Sequence, residues 1–288
     1  MPTPLWTPPA ELVERAVMTR YMRERGFESY ADLWQWSVTD LDGFWGSIWD
    51  FFGVEGSYEK VLARRDMPGA EWFPGTQVNY AQHLFRGKDP GAVAIVHASE
   101  LRELGEITWA ELHEQTAAMA ARLRALGVER GDRVAAYMPN IPETVAAFLA
   151  TASIGAIWSS CSPDFGPRSV VDRFAQIEPK VLLAVDGYRY NGRDFDRRET
   201  VTRIAAETGG EVLMLGYLDG SGWPDAPDHE LTFEKVPFEH PLWVLYSSGA
   251  GSASSSSQPD GTITVCSTDG IAAAISRTRS RRSKCFPP

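Results

Sequence analysis

At 288 residues, 43% hydrophobic and 23% charged with ten tryptophans, the chain carries enough apolar content for one large core or two ordinary ones. Its net charge of −10 is uneven: residues 250–288 hold five Lys/Arg against two Asp/Glu, a balance of +3, which leaves residues 1–249 near −13. An acidic body of this kind argues against a nucleic-acid partner, the three cysteines (Cys161, Cys266, Cys285) have no metal-like spacing and are too few for a disulfide framework, and no apolar stretch is long enough to span a bilayer.

The opening, MPTPLWTPPAELVER, has four prolines and no apolar core segment, so it is not a signal peptide, and a cytoplasmic protein is expected. Pro8-Pro9 before Glu11 predicts a helix start, with Leu12, Ala16 and Met22 sharing an inward face through about Arg25. Thr39-Asp40 precedes a second helix with Leu41, Phe44, Trp45, Ile48 and Phe52 at helical spacing. Trp34, Trp36, Trp45 and Trp49 suit a stacking platform for sugars or bases, but their spacing is that of a core face, and a packed helical cap is the reading preferred. Met67–Gly75 is a Pro/Gly-punctuated turn leading into a short helix, Val78–Leu84.

From Ala92 onward the rhythm changes. Strands are predicted at Ala92–His97, Glu106–Thr108, Arg133–Tyr137, Ile157–Ser160, Lys180–Val185, Glu211–Leu215 and Leu242–Tyr246. Helices are predicted at Trp109–Leu126 (closed by Gly127), Pro142–Ile154, Pro167–Ile177 and Asp196–Thr208. Strand–helix–strand alternation means right-handed crossovers onto a mostly parallel, doubly wound α/β sheet. Asp219–Pro237 is a polar, proline-bearing connection, and 250–288 is a Ser-rich segment without sustained periodicity that ends in RTRSRRSK. Such a segment buries too little apolar surface to offset its ordering entropy and is expected to be disordered, with Thr262–Cys266 and Gly270–Ile275 its only structured-looking pieces.

Three stretches suggest chemistry. Leu242–Tyr246 runs into Ser247-Ser248-Gly249, either an ordinary polar turn or a loop that brings backbone N–H groups and hydroxyls to phosphate oxygens. Ser159–Asp164 follows a strand and opens a helix, the position of a backbone-lined ligand wall. Cys161 within it has no histidine paired in sequence and reads as a small wall residue instead of a nucleophile. The five histidines form no metal pattern.

A resemblance carries more than these motifs do. The segments PLWTPP, LWQWSV, FWGSIWDFFGV, MPGAEWFPGTQVNYAQHL, GDRVAAYMPNIPETVAAFLATASIGAIWSSCSPDFG, RSVVDRFAQIEPKVLLAVDGYRYNGRDFDRRE and HPLWVLYSSG together resemble the N-terminal part of adenylate-forming acyl-CoA ligases. The acetoacetate-using group is the most similar, from Leu5 to Gly249. The resemblance implies a helical N-terminal region at 1–90 and part of an adenylation domain at 91–249, its doubly wound sheet incomplete, with 250–288 an unrelated tail. The implied family reaction joins acetoacetate to coenzyme A with ATP and Mg2+, releasing AMP and diphosphate. It also implies that Ser247, Ser248 and Gly249 begin the ATP phosphate loop, and that Tyr190, Gly192 and Arg193 meet the nucleotide end of coenzyme A, with Arg189 assisting. The residue-level alternative for Tyr190–Arg193 is a solvated, charged turn.

After Gly249 the family's pattern stops abruptly: its further hydroxyls and Pro-Lys pair are replaced by Ala250-Gly251-Ser252-Ala253 and serines. A shifted reading frame or an assembly error is expected, the rival being a genuine short protein. The chain is therefore expected to be an inactive fragment without catalytic or metal-binding residues of its own. Three alternatives stand beside it: a fragment of another short-chain acyl-CoA synthetase, a non-enzymatic remnant that binds coenzyme A or a full-length partner, and a nucleic-acid or targeting role for RTRSRRSK.

Overall fold

Two compact units divide the chain, Met1–Thr76 and Gln77–Pro288. The computed structural model describes residues 5–246 and the strand Ile263–Ser267.

The first unit comprises α1 (Ala10–Arg15), α2 (Val17–Glu24), α3 (Tyr30–Thr39), α4 (Leu41–Phe51), β1 (Leu62–Arg64) and β2 (Glu71–Trp72). Ser29 and Asp40 cap α3 and α4, each accepting from a backbone N–H in the first turn. The aromatic residues pack among themselves: Trp49 lies 4.7 Å from Phe73 and 5.3 Å from Tyr58, and Tyr21 lies edge-on to Phe51 at 4.9 Å. These rings pack as a core in which Trp49 is buried and Trp36 and Trp45 half-buried, whereas Trp34, expected on the same face, is exposed.

The expected first helix is two helices. Ala16 sits at φ −65°, ψ 134°, an extended conformation that ends α1 and starts α2. Across the break Thr19 Oγ1 donates to the Val13 carbonyl, and Arg23 pairs with Glu14 at 2.6 Å. Leu12 is consequently exposed, and the buried residue of α2 is Tyr21.

The second unit opens with β3 (Gln77–Val78), α5 (Tyr80–Phe85), β4 (Val93–Ser99), β5 (Arg102–Thr108) and α6 (Trp109–Ala125). It continues with β6 (Arg133–Tyr137), α7 (Pro142–Ile154), β7 (Ile157–Cys161), α8 (Pro167–Phe174) and β8 (Val181–Val185). Then come β9 (Gly187–Tyr190), β10 (Arg193–Asp196), α9 (Arg198–Thr208), β11 (Glu211–Leu215), β12 (Val236–Pro237), β13 (Pro241–Tyr246) and β14 (Ile263–Ser267). The principal sheet runs β11-β8-β6-β7-β13-β14, parallel throughout except for β14.

Each central strand is buried on both faces, which is why β8 reads VLLAV without polar alternation. One face carries Val134, Ala136, Trp158, Val181, Leu183 and Val185 against α6 and α7. The other carries Ala135, Tyr137, Leu182 and Ala184 against α8 and α9. Because α7 lies on one face and α8 on the other, the chain leaves β6 and β7 in opposite directions. That reversal opens a crevice at the carboxyl ends of these two strands, where ligands bind in folds of this kind.

Local signals set the helix ends. Thr108 and Glu111 form a reciprocal capping box on α6, Pro142 begins α7, and Gly155 ends it at φ +75°. A Cβ on Gly155 would stand 2.9 Å from Val236, so this turn requires glycine twice over.

The segment expected to be disordered is structured at five residues: Ile263–Ser267 pairs antiparallel with β13, Val244 opposite Val265. That stretch overlaps Thr262–Cys266, and an apolar β-branched run can satisfy its backbone by adding to the β13 edge. The remainder of 250–288 lies outside the described residues.

Asn79 joins distant parts of the unit. Its side-chain oxygen caps α5 by accepting from Gln82, while its amide donates to the carbonyls of Ala152 (2.9 Å), Ser153 (3.3 Å) and Glu234 (2.8 Å). It is 3% exposed, so water cannot replace these partners. Asn79→Ala should therefore cost about 2 kcal/mol, lowering the thermal midpoint by about 4–8 °C in a domain of this size. Val96→Ser, at a side chain 61% exposed, should move it by less than about 2 °C. Calorimetry of the two variants compares them directly.

Candidate functional site

At the carboxyl edge of β6 and β7 a cleft of about 430 Å³ is lined by Pro139, Asn140, Thr144, Phe148, Ser160 and Trp243, among others. Phe148 stands 5.0 Å from Trp243 and 5.9 Å from Trp158, giving one aromatic wall. Asn140, Ser160 and Ser162 supply polar groups at the strand ends. The indole N–H of Trp243 is buried and has no hydrogen-bond partner among the described residues. An apolar recess with a few convergent polar groups is the usual form of a small-molecule site.

The Ser159–Asp164 loop does form a wall of this cleft, through Ser160, Cys161 and Ser162. Two side chains pin the backbone at Pro163 and Phe165. Tyr137 Oη donates to the carbonyls of Pro163 (2.7 Å) and Phe165 (2.8 Å), and Arg197 Nε donates to the same Pro163 carbonyl at 2.8 Å. Burial pushes the Tyr137 phenol up to about 12, the positive charge of Arg197 opposing, so the O–H stays a donor at any ordinary pH. Arg197 is itself seated over the stacked rings of Tyr188 and Phe195, whose centroids are 5.2 Å apart.

Cys161 is 6% exposed, and burial pushes its thiol up to about 11. A thiol held that far above the ordinary range is protonated near neutral pH, which suits a wall residue better than a nucleophile. The physical consequence is measurable. At pH 8 its alkylation by iodoacetamide should run about two orders of magnitude slower than that of a free thiol, and unfolding should restore the ordinary rate. Peptide mapping by mass spectrometry reads the modification at Cys161.

Tyr190, Asn191, Gly192 and Arg193 form the tip of an antiparallel hairpin, β9–β10, with Tyr190 opposite Arg193. Asn191 (φ 52°) and Gly192 (φ 72°) both take the left-handed conformation that a two-residue hairpin turn demands. Sequence reading made this stretch a turn before a helix and missed the hairpin, although Asn-Gly flanked by aromatic residues is its signal. Tyr190 is 68% exposed. Arg189 is paired with Asp194 at 2.6 Å, which holds its pKa above the ordinary value, whereas exposed Arg193 makes no ion pair among the described residues. The Asn191 and Gly192 N–H groups both point at the Glu100 carboxylate, at 2.6 and 2.7 Å. The structure thus brings Tyr190, Gly192 and Arg193 together around two parallel backbone donors.

Ser247, Ser248 and Gly249 lie outside the described residues. Their approach is defined: β13 runs parallel to β7 with Trp243 opposite Trp158, so Tyr246 ends at the same carboxyl edge as the cleft. Tyr246 Oη donates to the Arg173 carbonyl at 2.7 Å, and burial pushes its phenol up to about 12. Among the described residues no group of three or more His, Cys, Asp and Glu side chains converges to hold a metal, and no helix is long and apolar enough to cross a membrane.

Sequence reading also missed Asp186. This carboxylate, 2% exposed, follows β8 and accepts from the N–H groups of Tyr217 and Leu218 at 2.8 Å and of Asp219 at 3.1 Å. Arg198 reaches it at 3.2 Å. Nothing in VDGYRY marks this aspartate, because its partners are backbone groups some thirty residues away.

Comparisons with known proteins agree with this architecture. The sequence profile of AMP-binding enzymes matches residues 85–252, and that of the acetyl-coenzyme A synthetase N-terminus matches residues 30–84. The chain is 40% identical to an acetoacetyl-coenzyme A synthetase of Rhizobium meliloti over 270 residues, covering 85% of this chain and 41% of that protein. It is 37% identical to an acetoacetyl-CoA synthetase of Danio rerio over 280 residues, 86% of this chain and 42% of that one. The solved acetoacetyl-CoA synthetase from Streptomyces lividans superimposes with a TM-score of 0.83 at 44% identity, covering 95% of this chain and 44% of that structure. The chain therefore spans about two fifths of the length of these relatives.

Proposed function

Because the chain belongs to the AMP-binding enzyme family, we propose that it forms the N-terminal part of an acetoacetate–CoA ligase. In this reading residues 1–90 are the acyl-CoA-synthetase N-terminal region and 91–249 the first part of the adenylation domain. The family's enzymes use ATP and coenzyme A, and the proposed reaction converts ATP, acetoacetate and coenzyme A into acetoacetyl-CoA, AMP and diphosphate, with Mg2+ on the phosphates. The observation that carries the proposal is the 44% identity to the Streptomyces lividans enzyme across 95% of this chain.

Ser247, Ser248 and Gly249 would open the phosphate loop, delivered to the carboxyl edge by β13. Tyr190, Gly192 and Arg193 would meet the nucleotide end of coenzyme A. What supports the second assignment is the chemistry of the hairpin tip: two adjacent N–H groups already engage an anion, beside a cation with no ion-pair partner among the described residues. Backbone donors of this kind suit a phosphate.

Transfer of this type is mostly positioning and charge neutralisation, so missing groups cost rate steeply. The sequence after Gly249 supplies neither the phosphate-loop lysine nor the hydroxyls of the family's pattern. The 288-residue chain alone should release no diphosphate from ATP in an acetoacetate-dependent manner. A longer product read onward from Gly249 in the frame that continues the phosphate loop should do so, faster with acetoacetate than with acetate. Turnover by the chain alone would overturn the fragment reading, and equal use of acetate by the longer product would overturn the substrate assignment.

A further inference from the structure

The turn at the tip of β9–β10 already holds an anion, and the anion belongs to the protein. Asn191 N–H donates to Glu100 Oε1 at 2.6 Å and Gly192 N–H to Glu100 Oε2 at 2.7 Å. One carboxylate thus spans two consecutive backbone donors, which is how backbone groups grip a phosphate. Glu100 sits between β4 and β5, far from the hairpin in sequence, so the contact is tertiary and not a by-product of local turn geometry. All three residues are exposed, as is Arg193 on the flank of the turn. The other nearby cation, Arg189, is taken up by Asp194.

We propose that Glu100 is an internal competitor for this cradle. Its carboxylate stands where the phosphate monoester of a nucleotide-bearing ligand binds, and it swings out when that ligand arrives. The inference rests on the reading that the hairpin tip serves coenzyme A, and it adds a residue and a regulatory contact to that reading. The exchange is physically easy. The two hydrogen bonds that Glu100 gives up are re-made by phosphate oxygens, which carry more charge and more acceptors than a carboxylate. Glu100 is on a flexible, exposed side chain that solvent receives without penalty. Arg193, opposite Tyr190 on the hairpin and without an ion pair among the described residues, is the cation left for a phosphate to recruit. Occupancy by Glu100 reduces apparent affinity by the fraction of time the cradle is free, so nine-tenths occupancy weakens binding about tenfold.

The test titrates the full 288-residue chain, Glu100→Ala and Glu100→Gln with coenzyme A and with dephospho-coenzyme A, which lacks the ribose phosphate monoester. Amide shifts of Asn191 and Gly192 are followed in parallel with inorganic phosphate. Both variants should bind coenzyme A about five- to tenfold more tightly than the parent, with a smaller gain for dephospho-coenzyme A. If Arg193→Ala weakens coenzyme A binding by the parent but Glu100→Ala leaves it unchanged or weaker, the coenzyme A reading stands and the competitor inference falls. If no chain binds coenzyme A, yet phosphate moves the two amides at lower concentration in Glu100→Ala than in the parent, the cradle and its competitor stand and the coenzyme A reading falls. If phosphate moves neither amide in any chain, the inference is overturned outright.

Discussion

The buried carboxylate of Asp186 is the contact on which the carboxyl edge of the sheet depends. A carboxylate cannot be buried ionised without partners, and this one takes three backbone N–H groups from the turn after β11 together with Arg198. Its backbone is engaged as well: its N–H donates to Leu215 and its carbonyl accepts from Arg197. One residue therefore fixes the exit of β8, the exit of β11 and the entry of α9. Arg197, held at that entry, then reaches the Pro163 carbonyl and so sets the wall of the cleft between β6 and β7. Hydrogen bonds to a charged group are each worth about 1.5–3 kcal/mol, more than a neutral pair, which is why a single residue can impose order on three segments.

The same edge explains where sequence reading succeeds. The strands β6, β7, β8, β11 and β13 and the helices between them are continuous apolar runs and 3.6-residue patterns closed by Gly or opened by Pro, and their bounds fall within a few residues of those expected. Local physics suffices for β6, β7 and β8 because both faces of these central strands are buried and any apolar run of five fits. It does not suffice at Ala16, where an extended residue divides a pattern that reads as one helix, since the break is stabilised by contacts across it and not by any helix-breaking residue. At β14 the apolar run within Thr262–Cys266 is legible inside a Ser-rich segment, but its pairing partner, the β13 edge, is not.

The site was less legible than the fold, for a definite reason. Residues read from one loop, such as Ser160 and Cys161, are neighbours in sequence and in space, so the wall of the cleft was visible in SSCSPD. Asp186, Glu100 and Arg197 act on partners about thirty to ninety residues away, and their partners are mostly backbone atoms with no residue type to betray them. The hairpin is the intermediate case. Its Asn-Gly turn was readable, yet the anion it grips comes from a different hairpin.

Charge at this edge is more closely balanced than the count of arginines implies. Arg189, Arg193, Arg197 and Arg198 all lie within ten residues of one another in a chain of net charge −10. Arg198 is shared among Asp186, Asp196 and Asp219, and Arg189 is neutralised by Asp194. Arg197 gives its donors to Pro163 and to the Tyr188 hydroxyl, with its face on two aromatic rings. Arg193 is the member of the four without such a partner among the described residues. At the hairpin tip the two backbone donors are held by Glu100, so this turn balances a carboxylate from another hairpin in the same way that Asp186 is balanced by the turn after β11.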